Sequence, residues 1–171
     1  MRAALHHAFA VIALCSAGAA WGQASSGEPI RPLPETLSGD PARIALGRLL
    51  FYDARISRDK RQSCASCHDL KRGGADGKAL SAGFGGKLGI FNTPTVYNSA
   101  LNFRLSWIGR EATLEGHLDR IIAGPAVFAT TWPAVTAALA EDGALAAQFR
   151  QVYDDELRPE YLRDALVHFL R

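Results

Sequence analysis

Long apolar runs and an excess of charge of one sign are both missing from this chain of 171 residues. Nineteen basic residues face seventeen acidic ones, which leaves a formal net charge of +2. So small an excess indicates neither a nucleic-acid partner nor a polybasic membrane-binding patch. No stretch approaches the roughly 18 consecutive apolar residues of a transmembrane helix. Composition therefore favours a globular protein whose partner cannot be identified from its charge.

The amino terminus carries the pattern of an export signal. An apolar run over residues 8–20 follows Arg2, and the Ala-Trp-Gly sequence at 20–22 fits a small-x-small cleavage site. This arrangement predicts a secretory signal peptide over residues 1–22 and a periplasmic location, with no membrane span after cleavage. A retained membrane anchor is the alternative. A lipoprotein is excluded because Leu14 stands where a small residue should precede Cys15.

Cysteine is scarce, with three in the chain, and two of them lie in the sequence Cys64-Ala65-Ser66-Cys67-His68. Two thiols separated by two residues can reach the two vinyl groups of one porphyrin, and the adjacent imidazole can bind the iron. A structural zinc site would need more ligands, and Cys15 is the only other cysteine. A redox dithiol would need a βαβ setting, for which we find no pattern. The motif therefore predicts one covalently attached haem c with His68 as iron ligand.

Methionine is nearly absent, since Met1 is the only one. Removal of residues 1–22 would leave a chain with no thioether and with Cys64 and Cys67 as its only thiols. A cytochrome site with one His and one Met ligand is thereby excluded.

The pattern of apolar residues predicts a helical domain with one long irregular insert. Residues 23–39 contain three prolines and are expected to form an extended leader. Asp40 and Pro41 predict a helix start, and the haem motif is expected on a short helix after Ser63. Seven of the sixteen glycines fall between residues 73 and 89, so residues 71–100 are expected to form a loop. The predicted helices span 41 to about 54, 111–123, 131–141, 144–153 and 159–171, without strands or repeats.

Several ordered motifs resemble the N-terminal haem domain of the bacterial di-haem cytochrome c peroxidase family. The resemblance covers about residues 30–171 and implies an all-α, class I cytochrome-c-like haem domain over residues 40–171. The matching motifs are, in chain order, residues 46–53 (LGRLLFYD), 63–68 (SCASCH), 74–77 (GADG), 92–98 (NTPTVYN) and 107–110 (WIGR).

Two departures from the family concern the haem pocket. Gly83-Phe84-Gly85 stands where the family has Gly-His-Gly, whose histidine is the distal iron ligand. Phe84 cannot bind iron, and we expect it to line the distal pocket of an iron with an open position. Val127 lies nearest the position of the family's catalytic glutamate. Loss of that glutamate would remove a proton shuttle, a group that typically raises the reaction rate by about 10²–10⁴-fold.

A third departure concerns the second haem domain, because the sequence contains no second Cys-x-x-Cys-His motif. We expect a truncated or split gene product, with a natural single-haem module as the alternative. Asn92 matches a family calcium ligand whose companions lie in the second domain, so calcium binding is not expected here.

Other residues have alternative interpretations. Trp107 matches a family tryptophan between the two haems, as an electron conduit or a packed aromatic. Arg110 is a candidate partner of a haem propionate or a carboxylate, or forms a surface ion pair. His117 and His168 are candidate iron ligands, for which a structural role is the stronger prediction. The pair formed by Glu115 and Asp119 is expected to be a solvated acidic face rather than a surrogate base.

The resemblance implies a periplasmic c-type haem oxidoreductase that reduces hydrogen peroxide. Its electrons would come from a small cytochrome or cupredoxin, or from a second haem domain or chain. Trp107 and Arg110 are the candidate catalytic residues, and Cys64, Cys67 and Phe84 would contact the haem. The alternatives are a non-catalytic electron-transfer or partner-binding module and a truncated fragment of a di-haem peroxidase.

Overall fold

The computed structural model describes residues 32–35 and 37–171, and residues 37–171 form one compact unit. The predicted signal peptide and most of the predicted leader lie outside the described residues. The leader residues that are described, 32–35 and 37–39, contain neither helix nor strand. The described residues contain five α-helices: α1 (Pro41–Tyr52), α2 (Leu114–Ala123), α3 (Trp132–Ala140), α4 (Gly143–Tyr153) and α5 (Pro159–Leu170).

Helix α1 begins where the sequence predicts. The Asp40 carboxylate accepts hydrogen bonds from the backbone N–H groups of Ala42 (2.8 Å) and Arg43 (3.4 Å), and Pro41 occupies the first turn. These contacts satisfy amides that have no partner within the helix. The helix ends at Tyr52, slightly before the predicted end, because Asp53 adopts an extended backbone and its carboxylate accepts from the Arg55 N–H.

Helix α2 begins three residues later than predicted. Its cap is Thr113, whose hydroxyl accepts from the Gly116 N–H at 3.1 Å. Glu111, the predicted first residue, instead accepts a backbone hydrogen bond from Leu105 (2.8 Å) and forms an ion pair with Arg120 (2.7 Å). The other predicted helices are confirmed to within about one residue, and Thr131 and Asp142 cap α3 and α4.

Helices α1 and α5 form the centre of the core. Leu46, Leu50 and Phe51 of α1 are almost completely buried, as are Leu162 and Leu166 of α5. Burial of side chains of this size stabilises the folded state by roughly 1.5–3 kcal/mol each relative to exposure. The crossing of these two helices leaves the end of α5 and the Phe51 ring beside the haem motif.

Residues 71–100 contain no α-helix. They form short 3₁₀ turns, at Leu70–Arg72, Phe84–Gly86 and Ser99–Leu101, and one isolated β-bridge between Ala82 and Leu88. Among residues 32–35 and 37–171, no helix is long and apolar enough to span a membrane.

Candidate haem-binding site

The haem motif lies on a 3₁₀ turn over Cys64–Ser66. Along the chain it follows α1 and precedes the irregular segment, residues 71–113, which leads to α2. The Ser63 N–H donates to Ser66 Oγ at 2.9 Å, and the His68 N–H donates to the Cys64 carbonyl at 2.9 Å. This local bonding turns the side chains of Cys64, Cys67 and His68 toward one cavity. The prediction of a short helical turn after Ser63 is confirmed.

The cavity has a volume of about 310 Å³. That value is within the usual range of about 300–1,000 Å³ for small-molecule and cofactor sites. Its walls come from the motif, the irregular segment, α2 with the loop after it, and the ends of α1 and α5. The apolar side chains among them are Phe51, Pro94, Val96, Leu105, Leu114, Leu118, Ile121, Val127, Phe128 and Leu170.

Both motif cysteines are free thiols. The packing around Cys64 raises the pKa of its thiol to about 12, and burial also raises the pKa of the Cys67 thiol. A protonated thiol in apolar surroundings is a poor metal ligand and a weak nucleophile. No cluster of three or more His, Cys, Asp or Glu residues that could hold a metal ion occurs in the described part of the chain. The raised pKa values of the two thiols disfavour the redox-dithiol alternative.

His68 contacts backbone carbonyls, those of Gly74 and Pro94. Its Nδ1 lies 3.1 Å from the Gly74 carbonyl oxygen. A carbonyl can only accept, so the proton is at Nδ1 and the lone pair at Nε2. Burial lowers the pKa of His68, although the Gly74 carbonyl acts in the opposite direction, and the neutral imidazole is the form that binds metals. The residues therefore fit a haem c, with two thiols and one oriented imidazole facing a mostly apolar cavity.

Trp107 lines the cavity, whereas Arg110 does not. The Trp107 indole is 54% exposed, and its Nε1–H donates to the Asn92 carbonyl at 2.9 Å. Arg110 is exposed, and the arginine among the residues of the cavity wall is Arg104. No sequence motif indicates Arg104, because its place at the cavity depends on how the irregular segment folds back.

Phe84 lies beside the cavity and is not among the residues of its wall. Its ring faces Arg58, whose guanidinium carbon is 5.8 Å from the ring centre. Its neighbour Gly83 does line the cavity and packs so closely on the Ala126 backbone that a Cβ would overlap the Ala126 carbonyl oxygen. Val127, predicted to lie nearest the position of the family glutamate, is part of the wall. The role of Phe84 over the iron stays a prediction.

The two histidines that are candidate iron ligands differ in their position relative to the cavity. His117 of α2 lines the cavity. His168 does not line it, and its Nδ1 accepts a long hydrogen bond of 3.4 Å from the Asp40 N–H. Glu115 and Asp119 also lie outside the cavity wall, and the Asp119 carboxylate pairs with Arg163 at 2.8 Å. No Asp or Glu is among the residues that line the cavity in residues 37–171.

Helices around a cavity that carries Cys-x-x-Cys-His define a c-type haem protein. A sequence model of the family described as "Di-haem cytochrome c peroxidase" matches residues 41–171. The chain belongs to this family.

Individual relatives agree with this assignment. The chain is 40% identical over 143 residues to the cytochrome c peroxidase Ccp of Escherichia coli (strain K12), covering 83% of this chain and 31% of the relative. It is 32% identical over 149 residues to the cytochrome c551 peroxidase of Nitrosomonas europaea, covering 86% of this chain and 45% of the relative. The chain thus spans about a third to a half of the length of these relatives.

One solved structure shows the same fold. It is a MauG-like protein associated with microbial copper homeostasis, with a TM-score of 0.72 and 24% sequence identity. The match covers 82% of this chain and 43% of that protein.

Proposed function

We propose that this domain is the peroxidatic-haem domain of a periplasmic cytochrome c peroxidase. Cys64 and Cys67 hold one haem c through thioether bonds, and His68 binds its iron. The observation that supports the proposal is that Cys64, Cys67 and His68 line a single, mostly apolar cavity. The finer fold assignment, a class I cytochrome-c-like domain with a long Gly-rich loop over residues 40–171, is part of the same proposal.

The bound haem supplies the redox chemistry that converts hydrogen peroxide, two electrons and two protons into two waters. The protein positions the His68 imidazole and shields the reacting oxygens from water. The Gly74 carbonyl holds the proton on His68 Nδ1, which keeps Nε2 directed at the cavity. The apolar wall limits water around the reacting oxygens and strengthens the remaining polar contacts.

Trp107 and Arg110 are proposed to serve catalysis from the edge of this site. Trp107 lines the cavity and is half exposed, so it connects the haem environment to the surface. Arg110 is exposed, so its proposed role is to pair with a haem propionate that reaches solvent. Phe84 is proposed to border the haem from the Gly83 loop.

The proposed electron source is a second haem domain or a small electron-donor protein such as a cytochrome or cupredoxin. Large apolar side chains are exposed on the segment that also contributes to the cavity wall, which supports a partner surface there. The residues are Leu88, Ile90, Phe91, Tyr97, Leu101, Phe103, Trp107 and Ile108. Delivery to the periplasm through a signal peptide at residues 1–22, followed by a leader at 23–39, is part of the proposal.

A second candidate function is electron transfer without peroxide chemistry. The observation that favours it is the composition of the cavity wall, which contains Val127 and no Asp or Glu within residues 37–171. Peroxide cleavage needs a group that moves a proton between the two oxygens. The two candidates therefore differ in how the ferric protein responds to peroxide.

The test uses the mature protein produced with c-type haem maturation. Its ferric absorption spectrum is recorded before and after addition of hydrogen peroxide. A high-spin spectrum that changes rapidly supports the peroxidase, whereas a low-spin spectrum indifferent to peroxide supports electron transfer.

A separate variant, Cys64→Ala, tests the attachment. The loss of one thioether bond is expected to reduce haem staining on a denaturing gel strongly. Staining equal to that of the unchanged protein would contradict the attachment at Cys64.

A further inference from the structure

His117 is the one histidine besides His68 that lines the cavity in residues 37–171. It lies on α2, between the apolar wall residues Leu114 and Leu118. Nothing in the haem attachment or in the orientation of His68 uses this imidazole. A polar ring in a mostly apolar wall is costly unless it finds a partner.

The two ring nitrogens of His117 have different surroundings. Nδ1 is sealed from solvent and has no hydrogen-bond partner among the described residues. Because the ring nevertheless lines the cavity, it meets the cavity through its other edge, which includes Nε2. Any ligand in the cavity can therefore interact with Nε2 and not with Nδ1.

The proton belongs on Nε2 in this arrangement. A buried N–H without an acceptor is more costly than a buried acceptor without a donor. An imidazolium would place an N–H at the sealed Nδ1, so the neutral ring is favoured. Burial also lowers the pKa of His117, as does the positive charge of Arg120, which is paired with Glu111.

Two other polar side chains of the wall are engaged by backbone carbonyls. The Gln62 amide donates to the carbonyls of Ala82 (3.3 Å) and Gly83 (3.0 Å), and the Trp107 indole donates to Asn92. Arg104 is exposed to solvent. Ser99 Oγ is buried without a partner among the described residues, because only the Ser99 backbone N–H is bonded, to the Val96 carbonyl at 3.2 Å. Ser99 is therefore the rival donor that the experiment must separate from His117.

We propose that His117 is a neutral hydrogen-bond donor whose Nε2–H points into the cavity and binds an anionic ligand of the haem iron. It is a ligand-binding residue, and it neither coordinates the iron nor accepts a proton. This inference rests on the proposed haem attachment. The ligand class is a small anion, or a neutral ligand that gains negative charge on its iron-bound atom.

The experiment measures fluoride binding to the ferric holoprotein by absorption titration. His117→Leu removes the donor and is expected to weaken fluoride binding by about 10- to 100-fold, as for a hydrogen bond to a charged acceptor. His117→Gln keeps an amide N–H donor of similar reach and is expected to retain most of the affinity. His168→Gln, outside the cavity wall, is the matched control and should bind fluoride like the unchanged protein. Ser99→Ala tests the rival donor, and the proposal expects it to lose less affinity than His117→Leu.

Four results would overturn the proposal. Equal loss in His117→Leu and His117→Gln would indicate acid–base or packing effects, and no loss in either would mean that the ring makes no contact. Loss in Ser99→Ala alone would assign the donor to Ser99. A low-spin ferric spectrum that becomes high-spin in His117→Leu would make His117 an iron ligand.

A measurement on the unchanged protein covers the case in which a variant does not fold. A hydrogen bond from an exchangeable proton shifts the iron–fluoride stretching frequency between H₂O and D₂O, and an unshifted band would refute the proposal. Haem staining on a denaturing gel is scored independently. Retained staining with unchanged fluoride affinity would refute the role of His117 and leave the haem attachment intact.

Discussion

The hydrogen bond at Nδ1 helps to orient the imidazole of His68 in the cavity. Its acceptor is the carbonyl of Gly74, a residue with φ of +73°. This left-handed backbone favours glycine, and a side chain there would also crowd Thr95 and Val96 at 3.0–3.1 Å. Gly73 has the same φ of +73° but open space around its Cβ position. A comparison of substitutions at these two glycines therefore distinguishes the effect of backbone strain from the effect of crowding.

Replacement of Gly74 by alanine is expected to change the haem spectrum. The added methyl group must displace Thr95 or Val96, and with them the carbonyl that binds His68 Nδ1. Gly73→Ala is the control, because both variants carry a left-handed strain of about 1–2 kcal/mol. The measurement is the ferric absorption spectrum together with the melting temperature. Melting temperatures should fall in both variants, and an identical spectral change in both would contradict this role of Gly74.

At the scale of elements, close approach of α1 and α5 builds the core. A Cβ at Gly47 would overlap the backbone of Ala165, so these helices touch through their main chains. The contact brings Phe51 and Phe169 together, with ring centres 5.1 Å apart. Because Phe51 and Leu170 also line the cavity, the crossing of the two helices positions one wall of the haem site.

Gly47→Ala is expected to destabilise the protein by about 1–3 kcal/mol, as overpacking does in a close-packed core. Gly143→Ala is the matched control, since Gly143 is also helical and its Cβ position is open. There the change should be neutral or should stabilise by up to about 1 kcal/mol. Denaturant unfolding of both holoproteins measures the difference. Equal stability of the two variants would show that α1 and α5 can separate without cost.

The cap of α4 is expected to make stability depend on pH. The hydrogen bond from the Leu145 N–H to the Asp142 carboxylate lowers the pKa of Asp142, and Arg55 contributes in the same direction. A lowered folded-state pKa stabilises the protein above the unfolded value of about 3.9, and this stabilisation is lost as the pH falls through the folded-state pKa. Asp142→Ala should therefore lower the melting temperature at neutral pH.

The difference between Asp142→Ala and the unchanged protein should shrink as the solution is acidified below the unfolded pKa. Glu141→Gln serves as control, because it removes a neighbouring charge outside the α4 cap. Melting curves of the holoproteins across this pH range provide the test. A difference that stays constant into strong acid would rule out the ionised cap as the source of the effect.

At the scale of the whole molecule, polar and apolar surfaces are unevenly distributed. Phe103 is 90% exposed and Ile90 is 81% exposed, and both lie in the irregular segment between α1 and α2. Trp107 and Asn92 are joined by a hydrogen bond, which brings two parts of this segment together. Exposed aromatic and aliphatic side chains in one segment are typical of an interaction surface.

The double variant Ile90→Ser, Phe103→Ser is expected to reduce self-association of the isolated domain, because it removes two of its most exposed apolar side chains. Light scattering over a range of protein concentrations measures the effect. Leu88→Ser, in the same segment, should give a smaller decrease because Leu88 is less exposed, at 68%. Haem content should not change in either protein. If the double variant associates as strongly as the unchanged protein, the contact surface does not include Ile90 and Phe103.

Local sequence patterns predicted the helices well where a cap is encoded by neighbouring residues. Asp40 before Pro41 predicted the start of α1, and its carboxylate does bind the first amides of the helix. The start of α2 was predicted too early because Glu111 is engaged by Leu105 and Arg120, and the bridge to Leu105 cannot be read from helical periodicity. Tertiary contacts of this kind override local propensity.

The sequence by itself determined the family and the attachment motif, because two thiols and an imidazole at fixed spacing need only one turn of chain to converge. Tertiary structure alone decided which distant residues share the cavity. Arg104 and His117 line it while Arg110 and His168 do not, although similar residue types stand at each pair of positions. The physical reason is that these placements depend on how residues 71–110 fold back onto α2 and α5, and those contacts join parts of the chain that are far apart in sequence.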